Sequence, residues 1–290
     1  MHDNPQAVQP MAVGPYGYCI LTLSGRDSVA FAQAQFMNDV AALAPGHWQW
    51  NGWLTPKGRV VALFALLMMD AERLWLVLPD ADPQALADGL RRFVFRSKVV
   101  IEIRGDVRAV GRFQAPGEAR GNRFAIDAAG DVELDFGSPQ IPRELRVTAA
   151  ADADGSLAEQ WRVADLEFGL PRLDESQAGQ WTPQQLSLDR LNAYSVKKGC
   201  YPGQEIVART HFLGKAKRGL ALLEAGSALA VGADVTSDGS SIGSVVAAAS
   251  ESSNTRHVGL AVVGLDRNTS AEASAGVPVR EVPILDGLAR

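Results

Sequence analysis

The stretch KKGCYPGQEIVART (Lys197–Thr210) places a cysteine between two lysines and a Pro-Gly turn. Its thiol, Cys200, is one of two in the chain, and core cysteines usually lie among apolar residues. The turn at Pro202 and Gly203 predicts a helix that begins directly after it, in QEIVA. A helix N-terminus and nearby cations both favour the thiolate over the thiol. A reactive thiol and a buried thiol at a tight turn both fit this pattern.

The chemistry open to Cys200 is limited by its neighbours. Nucleophilic catalysis needs a base, and His211 is the nearest candidate. An iron–sulfur cluster needs about four protein ligands, so a lone thiol would share a cluster with a partner or form a transient mixed disulfide. Cys19, inside YGYCILTL, is predicted to lie in the core. The other three histidines are scattered along the chain, so no protein-only metal centre is predicted.

Three further features each have two interpretations. TPKGRV (Thr55–Val60) is a plain hairpin turn, or it holds an anionic group through its two cations. Trp161 is a core residue, or a stacking platform for a flat heterocycle. A cationic segment beside the cysteine loop is a basic patch or a solvated linker, and its cations are Arg209, Lys215, Lys217 and Arg218.

The composition of the 290 residues is that of a globular protein, with 47% hydrophobic and 21% charged residues. The net charge of −5 provides no overall basic field for nucleic acid. Two cysteines without a spacing pattern exclude a disulfide scaffold. The N-terminus lacks the features of a signal peptide, and the longest apolar run, Val60–Met69, is too short for a membrane span. A soluble protein of a reducing compartment, the cytoplasm, is therefore expected.

The elements that must position these residues begin with a strand and a helix for which Asp27 or Ser28 is the predicted cap. A hairpin is predicted at residues 70–72, between two apolar runs. A helix is predicted from Pro83, with an apolar face formed by Leu86, Leu90, Phe93 and Val94. Strands on both sides of this helix indicate an α+β region in which helices pack on an antiparallel sheet.

The second half of the chain changes character twice. SLAEQWRVADLEFG predicts a helix that ends near Gly169. After Arg218, short Val, Ala and Leu runs alternate with Gly, Asp and Ser turns, which predicts a small β-barrel. We therefore predict one region over residues 1–214 and a barrel over residues 215–290, with a frayed tail at residues 1–12.

KKGCYPGQEIVAR closely resembles the K-G-C-Y-x-G-Q-E motif of the YgfZ family of folate-binding, tRNA-modification and iron–sulfur-related proteins. That family is related to the aminomethyltransferase (T-protein) of the glycine cleavage system. SGRDSVAFAQAQFMNDV, LTPKGRV, FRSKVVI and WRVADLEFGLP are also similar to family segments, so the likeness covers residues 18–220 in order. The motif positions here are Lys198, Gly199, Cys200, Tyr201, Gly203, Gln204 and Glu205, followed by Arg209.

The resemblance implies a T-protein-like α+β fold, with two interlocked α/β lobes and a small C-terminal β-barrel. It implies tetrahydrofolate or a one-carbon derivative in a central cavity, lined by Trp161 and Tyr18. Tyr18 departs from relatives that carry Trp there and offers a smaller stacking surface. Val61 and Ala62 stand where the aminomethyltransferases carry an Asp pair. Because an apolar pair cannot relay a proton, ordinary aminomethyl transfer is not expected.

The resemblance implies a monomeric, cytoplasmic, folate-binding accessory protein. It would support the assembly or repair of iron–sulfur enzymes, including those that thiolate tRNA, with Cys200 as the redox or ligand residue. Its partners would be iron–sulfur assembly factors or client enzymes. Two alternatives stay open: a folate-dependent one-carbon transferase or demethylase, and direct tRNA binding through Lys215, Lys217 and Arg218, which is not favoured.

Overall fold

A computed structural model describes residues 17–149, 156–214, 216–251, 255–267 and 273–290. Lys215 and the N-terminal tail lie outside these residues. The helices are α1 (Ser28–Gln35), α2 (Pro83–Arg91), α3 (Ala158–Glu167) and α4 (Gln204–Phe212), with a 3-10 helix at Leu188–Leu191. The strands are β1 (Tyr18–Ser24), β2 (Trp48–Leu54), β3 (Val60–Asp70), β4 (Arg73–Pro79), β5 (Val100–Ile103), β6 (Arg108–Arg112), β7 (Ala125–Ile126), β8 (Val132–Asp135), β9 (Glu144–Thr148), β10 (Arg218–Ala225), β11 (Asp234–Ser237), β12 (Ser240–Glu251), β13 (Arg256–Gly264), β14 (Ala273–Ser274) and β15 (Pro278–Val282).

An antiparallel sheet of order β2-β3-β4-β1-β5 organises the first part of the chain. Strand β3 is apolar on both faces because both are covered. Helices α1 and α2 cover one face, where Phe31 and Leu86 pack with Phe64. The opposite face, which includes Leu63 and Leu67, belongs to a second core. The sheet is therefore the middle layer of this region.

A second antiparallel sheet, of order β6-β9-β8-β7, and helix α3 complete that second core. The remaining strands close into a barrel of order β10-β13-β12-β11-β14-β15. An ion pair between Glu167 of α3 and Arg256 of β13 joins the barrel to the helix. The α+β fold with a C-terminal barrel is thus confirmed. Among the described helices, none is long and apolar enough to cross a membrane.

The C-terminal segment, residues 283–290, leaves the barrel and returns to both sheets. The backbone N–H of Leu285 donates to the carbonyl of Glu167 over 2.8 Å. The indole N–H of Trp50, on β2, donates to the carbonyl of Leu288 over 2.7 Å. The Arg290 guanidinium donates to the carbonyl of Asp135 over 2.8 Å. One short segment therefore links the barrel, α3 and both sheets.

Two local predictions from the sequence are wrong. Helix α2 ends at Arg91, so Phe93 lies beyond it and is exposed rather than on a buried helical face. Asp27 stands at the N-cap of α1 but makes no side-chain cap. Its carboxylate instead accepts from the backbone N–H of Lys98 over 2.7 Å, which ties the start of α1 to the segment before β5. The predicted hairpin at residues 70–72 and the helix after Gly203 are both confirmed.

Candidate functional site

The loop that carries the cysteine motif is built around Ser195. Its hydroxyl accepts from the backbone N–H groups of Lys197 and Lys198 over 3.2 and 3.3 Å. Its own backbone N–H donates to the carbonyl of Met37 over 2.9 Å. The Tyr201 hydroxyl donates to the Ser195 carbonyl over 3.2 Å. These bonds fold the loop back on itself and hold it against the end of α1.

Lys198 is the anchor of the loop. It is buried, and its Nζ donates to the carbonyls of Gln33, Phe36 and Asn38 over 2.6, 2.6 and 3.1 Å. Those carbonyls lie at and just beyond the C-terminus of α1, where helix carbonyls lack partners within the helix. Burial lowers the pKa of Lys198 to about 8. A sequence reading that treats this lysine as solvated therefore misses its role, which is to cap α1.

Gly203 immediately precedes α4, at a backbone position that suits only glycine. Its φ is +80°, in the left-handed region, and an added Cβ would lie 2.6 Å from the Cα of Gly58. The Thr55–Gly58 turn thus presses against the N-terminus of α4. Arg59 in that turn donates to the carbonyl of Gln180 over 2.8 Å, which leaves it a structural role. The TPKGRV segment is a hairpin turn that supports the cysteine loop.

The remaining motif residues divide into buried and exposed. Tyr201 is buried under the Lys198 ammonium, and burial raises the pKa of its hydroxyl. The Gln204 amide donates to the carbonyl of Lys198 over 3.3 Å. Gly199 has open space where a Cβ would stand, so packing does not require glycine there. Glu205 and Arg209 are exposed on α4.

Cys200 is exposed, whereas Cys19 is buried as predicted. The structure thus excludes a buried thiol at this turn, and a reactive role of Cys200 stays a prediction. His211 lies seven residues beyond the first residue of α4, about 10 Å along the axis, so the helix carries it away from the loop. Within the described ranges, no group of three His, Cys, Asp or Glu side chains is placed to hold a metal.

Replacing Lys198 with Met is expected to lower the free energy of unfolding by about 2–4 kcal/mol, because buried carbonyls lose their donor. It should also make the Cys200 loop more sensitive to limited proteolysis. Lys197→Met is the matched control, since Lys197 is the exposed neighbour. Equal stability of the two variants, measured by urea unfolding, would show that the ammonium is not an anchor.

The two aromatic residues assigned to a folate lie together, but inside the protein. Trp161 is 0% exposed and Tyr18 is 2% exposed. The Trp161 indole N–H donates to the Tyr18 hydroxyl over 3.2 Å. The Phe136 ring stacks on the Trp161 ring at 6.1 Å and 24°. The Arg143 guanidinium lies 4.5 Å from the Trp161 ring centroid.

A buried ion network, which sequence reasoning missed, surrounds this pair. Asp165 accepts from Arg143 over 2.7 Å, from Arg172 over 2.6 Å and from the Tyr18 hydroxyl over 2.9 Å. Arg172 also donates to Asp80 over 2.5 Å. Asp165 follows Trp161 by four residues, which places both on one face of α3. The four-residue spacing of Trp161 and Asp165, with Val and Ala between them, is the sequence feature that could have indicated this buried pair.

The Trp161 and Tyr18 pair has no room for a tetrahydrofolate ring. The faces of Trp161 are covered by packed neighbours, and Gly111 lies so close that its added Cβ would be 2.4 Å from the indole. Neither Trp161 nor Tyr18 offers an open face to a flat heterocycle, so the pair does not fit a folate as it lies. Among the described residues, no hydrogen bond or ring contact joins the pair to Cys200.

Val61 and Ala62 lie on β3 and line a small cavity of about 120 Å³. Its lining combines apolar side chains with three acidic residues, which are Asp82, Asp174 and Glu175. Asp82 is engaged as the cap of α2, and Asp174 accepts from Ser176. Val61 and Ala62, which the resemblance matches to the aminomethyltransferase Asp pair, carry no group that could transfer a proton.

Comparison with known proteins gives similar chains in several bacteria. The chain is 31% identical over 224 residues to the tRNA-modifying protein YgfZ of Klebsiella pneumoniae, covering 70% of this chain and 68% of that protein. It is 30% identical over 227 residues to the tRNA-modifying protein YgfZ of Serratia proteamaculans, covering 71% and 68%. An uncharacterised protein of Haemophilus influenzae is 31% identical over 205 residues, covering 70% and 69%. No family model matches the chain.

Among solved structures, the fold is similar to the glycine cleavage system aminomethyltransferase T of Bartonella henselae. The TM-score is 0.71 with 15% sequence identity, over 93% of this chain and 84% of that one. This similarity shows the fold, and the T-protein-like architecture expected from the sequence is confirmed.

Proposed function

Because this chain belongs to the YgfZ family, we propose that it is an accessory protein of tRNA modification that acts through the thiol of Cys200. One observation carries the proposal. The motif's buried side chains, Lys198 and Tyr201, hold the loop, and Gly203 sets its turn, while Cys200 stays accessible. A fixed loop that presents a thiol suits reaction with another macromolecule.

The finer role we propose is support of iron–sulfur enzymes, including those that thiolate tRNA. Among the described residues, no group of three or more His, Cys, Asp or Glu side chains is placed to hold a metal. A single cysteine supplies one thiolate, so in this proposal the partner supplies most of the about four ligands of the cluster. The cluster is the cargo of this reaction, and the loop presents the sulfur to it. Rigidity of the loop keeps the position of that sulfur constant from one encounter to the next.

The test is complementation of a bacterial strain that lacks its own YgfZ-family gene. Expression of this protein is expected to restore the thiolated nucleosides of bulk tRNA, measured by liquid chromatography and mass spectrometry, to at least half the parental level. An empty vector is the control. Nucleoside levels that match the empty vector, with the protein soluble and expressed, would contradict the proposed function.

A tetrahydrofolate-type ligand also belongs to this proposal, supported by the T-protein-like fold. Contact of that ligand with Trp161 or Tyr18 stays a prediction, and it requires the buried cluster to open. We expect saturable tetrahydrofolate binding in calorimetry, weakened by Trp161→Phe, which retains an aromatic ring and most of the packing. Trp161→Ala is unsuitable, because the cavity would cost about 3–5 kcal/mol of stability.

Phe113→Leu is the control for that titration, since Phe113 only contacts the edge of the Trp161 ring. Equal affinity of wild type and Trp161→Phe would remove the indole from the ligand site. Absence of binding in a folded sample would mean that the fold is present without this ligand, and Cys200 would remain the functional group.

A further inference from the structure

The segment Arg91–Lys98, here the Arg-Phe loop, runs from the last residue of α2 to the approach to β5. Phe95 is 86% exposed, more than any other large apolar side chain in the described part of the chain. Phe93 is 49% exposed. Neither position was expected from the sequence, which placed Phe93 on a helix. One exposed apolar side chain alone is common on protein surfaces, so the pair of exposed rings matters only together with the charges around it.

Cations surround these two rings. The segment holds four cations and no acid, although the whole chain has a net charge of −5. Arg91 is engaged with Asp88 and with the carbonyl of Ile101, so it is structural. The other three form no ion pair with a described residue, and they are Arg92, Arg96 and Lys98. The Arg96 guanidinium lies 5.3 Å from the Phe95 centroid, which keeps it beside the open ring.

The Arg-Phe loop is linked to the Cys200 loop through a series of packed residues. Lys198 donates to the carbonyl of Phe36, and Phe36 forms a backbone bridge with Trp53. The Trp53 ring then contacts the Phe93 ring at 6.2 Å between centroids. Trp53 therefore bridges the segment around Phe36, which accepts from Lys198, and Phe93 at the base of the Arg-Phe loop.

We propose that the Arg-Phe loop binds single-stranded RNA, such as an unpaired loop of tRNA. Unpaired bases stack on aromatic side chains and on guanidinium planes, while lysine and arginine contact the phosphates. The loop offers both groups within a few residues. A protein partner is less well matched, because a stable protein interface needs a broad packed surface, and Phe95 protrudes from a charged loop.

This inference rests on the proposed function and names a macromolecule that its site would meet. It differs from the RNA surface considered from the sequence, which used Lys215, Lys217 and Arg218. Lys217 and Arg218 are exposed, and the nearest exposed aromatic residue, Phe212, lies five positions before Lys217 at the end of α4 and is 67% exposed. The Arg-Phe loop is distinguished by two exposed rings two positions apart and by the Arg96 guanidinium that lies over the Phe95 ring.

The test is fluorescence anisotropy of a fluorescein-labelled, unmodified tRNA transcript, titrated with wild-type protein at about 50 and 200 mM salt. Phe95→Ala is expected to weaken binding by about fivefold or more, since base stacking is lost. The triple variant Arg92→Ala, Arg96→Ala, Lys98→Ala should reduce the slope of log K against log salt by about 2. All four side chains are exposed, so these variants should fold.

Ile126→Ala is the matched control, because Ile126 is also half exposed but lies on β7 of the second sheet. It should bind tRNA as wild type does. Equal affinity of Phe95→Ala and wild type would overturn the inference. Equal affinity of the wild type for a fully paired RNA duplex would also overturn it. The same holds if the protein does not bind tRNA but binds phosphatidylglycerol vesicles or poly-glutamate, and Phe95→Ala loses that binding. If tRNA binding fails while complementation succeeds, the inference is wrong and the proposed function stands.

Discussion

In the complementation assay, the Cys200→Ser variant will restore no more tRNA thiolation than the empty vector does, although the variant folds normally. The thiol is exposed, so the change should alter the free energy of unfolding by less than about 0.5 kcal/mol. A serine hydroxyl is not ionised near neutral pH and does not replace a thiolate as a soft metal ligand or as a partner in disulfide exchange. The measurement is the nucleoside assay in the deletion strain, with circular dichroism to verify folding.

Lys197→Met provides the neighbouring control for the cysteine variant. Lys197 is exposed beside the same loop but does not anchor it, so this variant should restore thiolation as wild type does. Full restoration by Cys200→Ser would end the thiol hypothesis. Loss in both variants would point to the local surface rather than to the sulfur.

Replacing Asp165 with Asn should be among the most destabilising single substitutions in the protein, at about 3–5 kcal/mol. Asp165 and Arg143 are fully buried, and Arg172 is nearly so. Removing the carboxylate charge leaves two guanidinium groups in the core without their shared partner. Equilibrium unfolding in urea measures the loss, with Glu175→Gln, which removes a charge from an exposed residue, as the control.

A double variant sharpens this result. If Asp165 and Arg143 act as a unit, Asp165→Asn combined with Arg143→Met should cost less than the sum of the two single changes. Additive costs would show that the two side chains contribute independently, and a small effect of Asp165→Asn alone would contradict the network as a source of stability.

The parts of the fold that followed from sequence are those fixed by local chemistry. Gly203 and the residues after it predicted α4 because a Pro-Gly turn ends the preceding segment and QEIVA favours a helix. The barrel was visible as short apolar runs between Gly, Asp and Ser turns. These signals lie within a few residues of the structures that they specify, so one sequence contains them.

The parts that failed depend on contacts between distant segments. Asp27 met the local rule for an N-cap, but the backbone N–H of Lys98, 71 residues away, takes its carboxylate. The exposure of Trp161 depends on Phe136, Arg143 and Gly111, none of which is near it in sequence. The Asp165 hub joins Tyr18 across 147 residues. Periodicity and capping rules do not report such pairs. The same is true of Lys198 in the thiol loop, whose backbone acceptors around the end of α1 are distant in sequence.

The C-terminal segment sets an order of events during synthesis. The Trp50 indole finds its acceptor at Leu288, 238 residues later, and Leu288 packs into the core beneath the first sheet. The first sheet can pair its strands early on the ribosome, but this part of its core stays open until residue 288 emerges. Contacts of such long range form late and slow the final step of folding. The nascent chain therefore carries an unfinished apolar face until residue 288 has left the ribosome, and a chaperone would bind it during that interval.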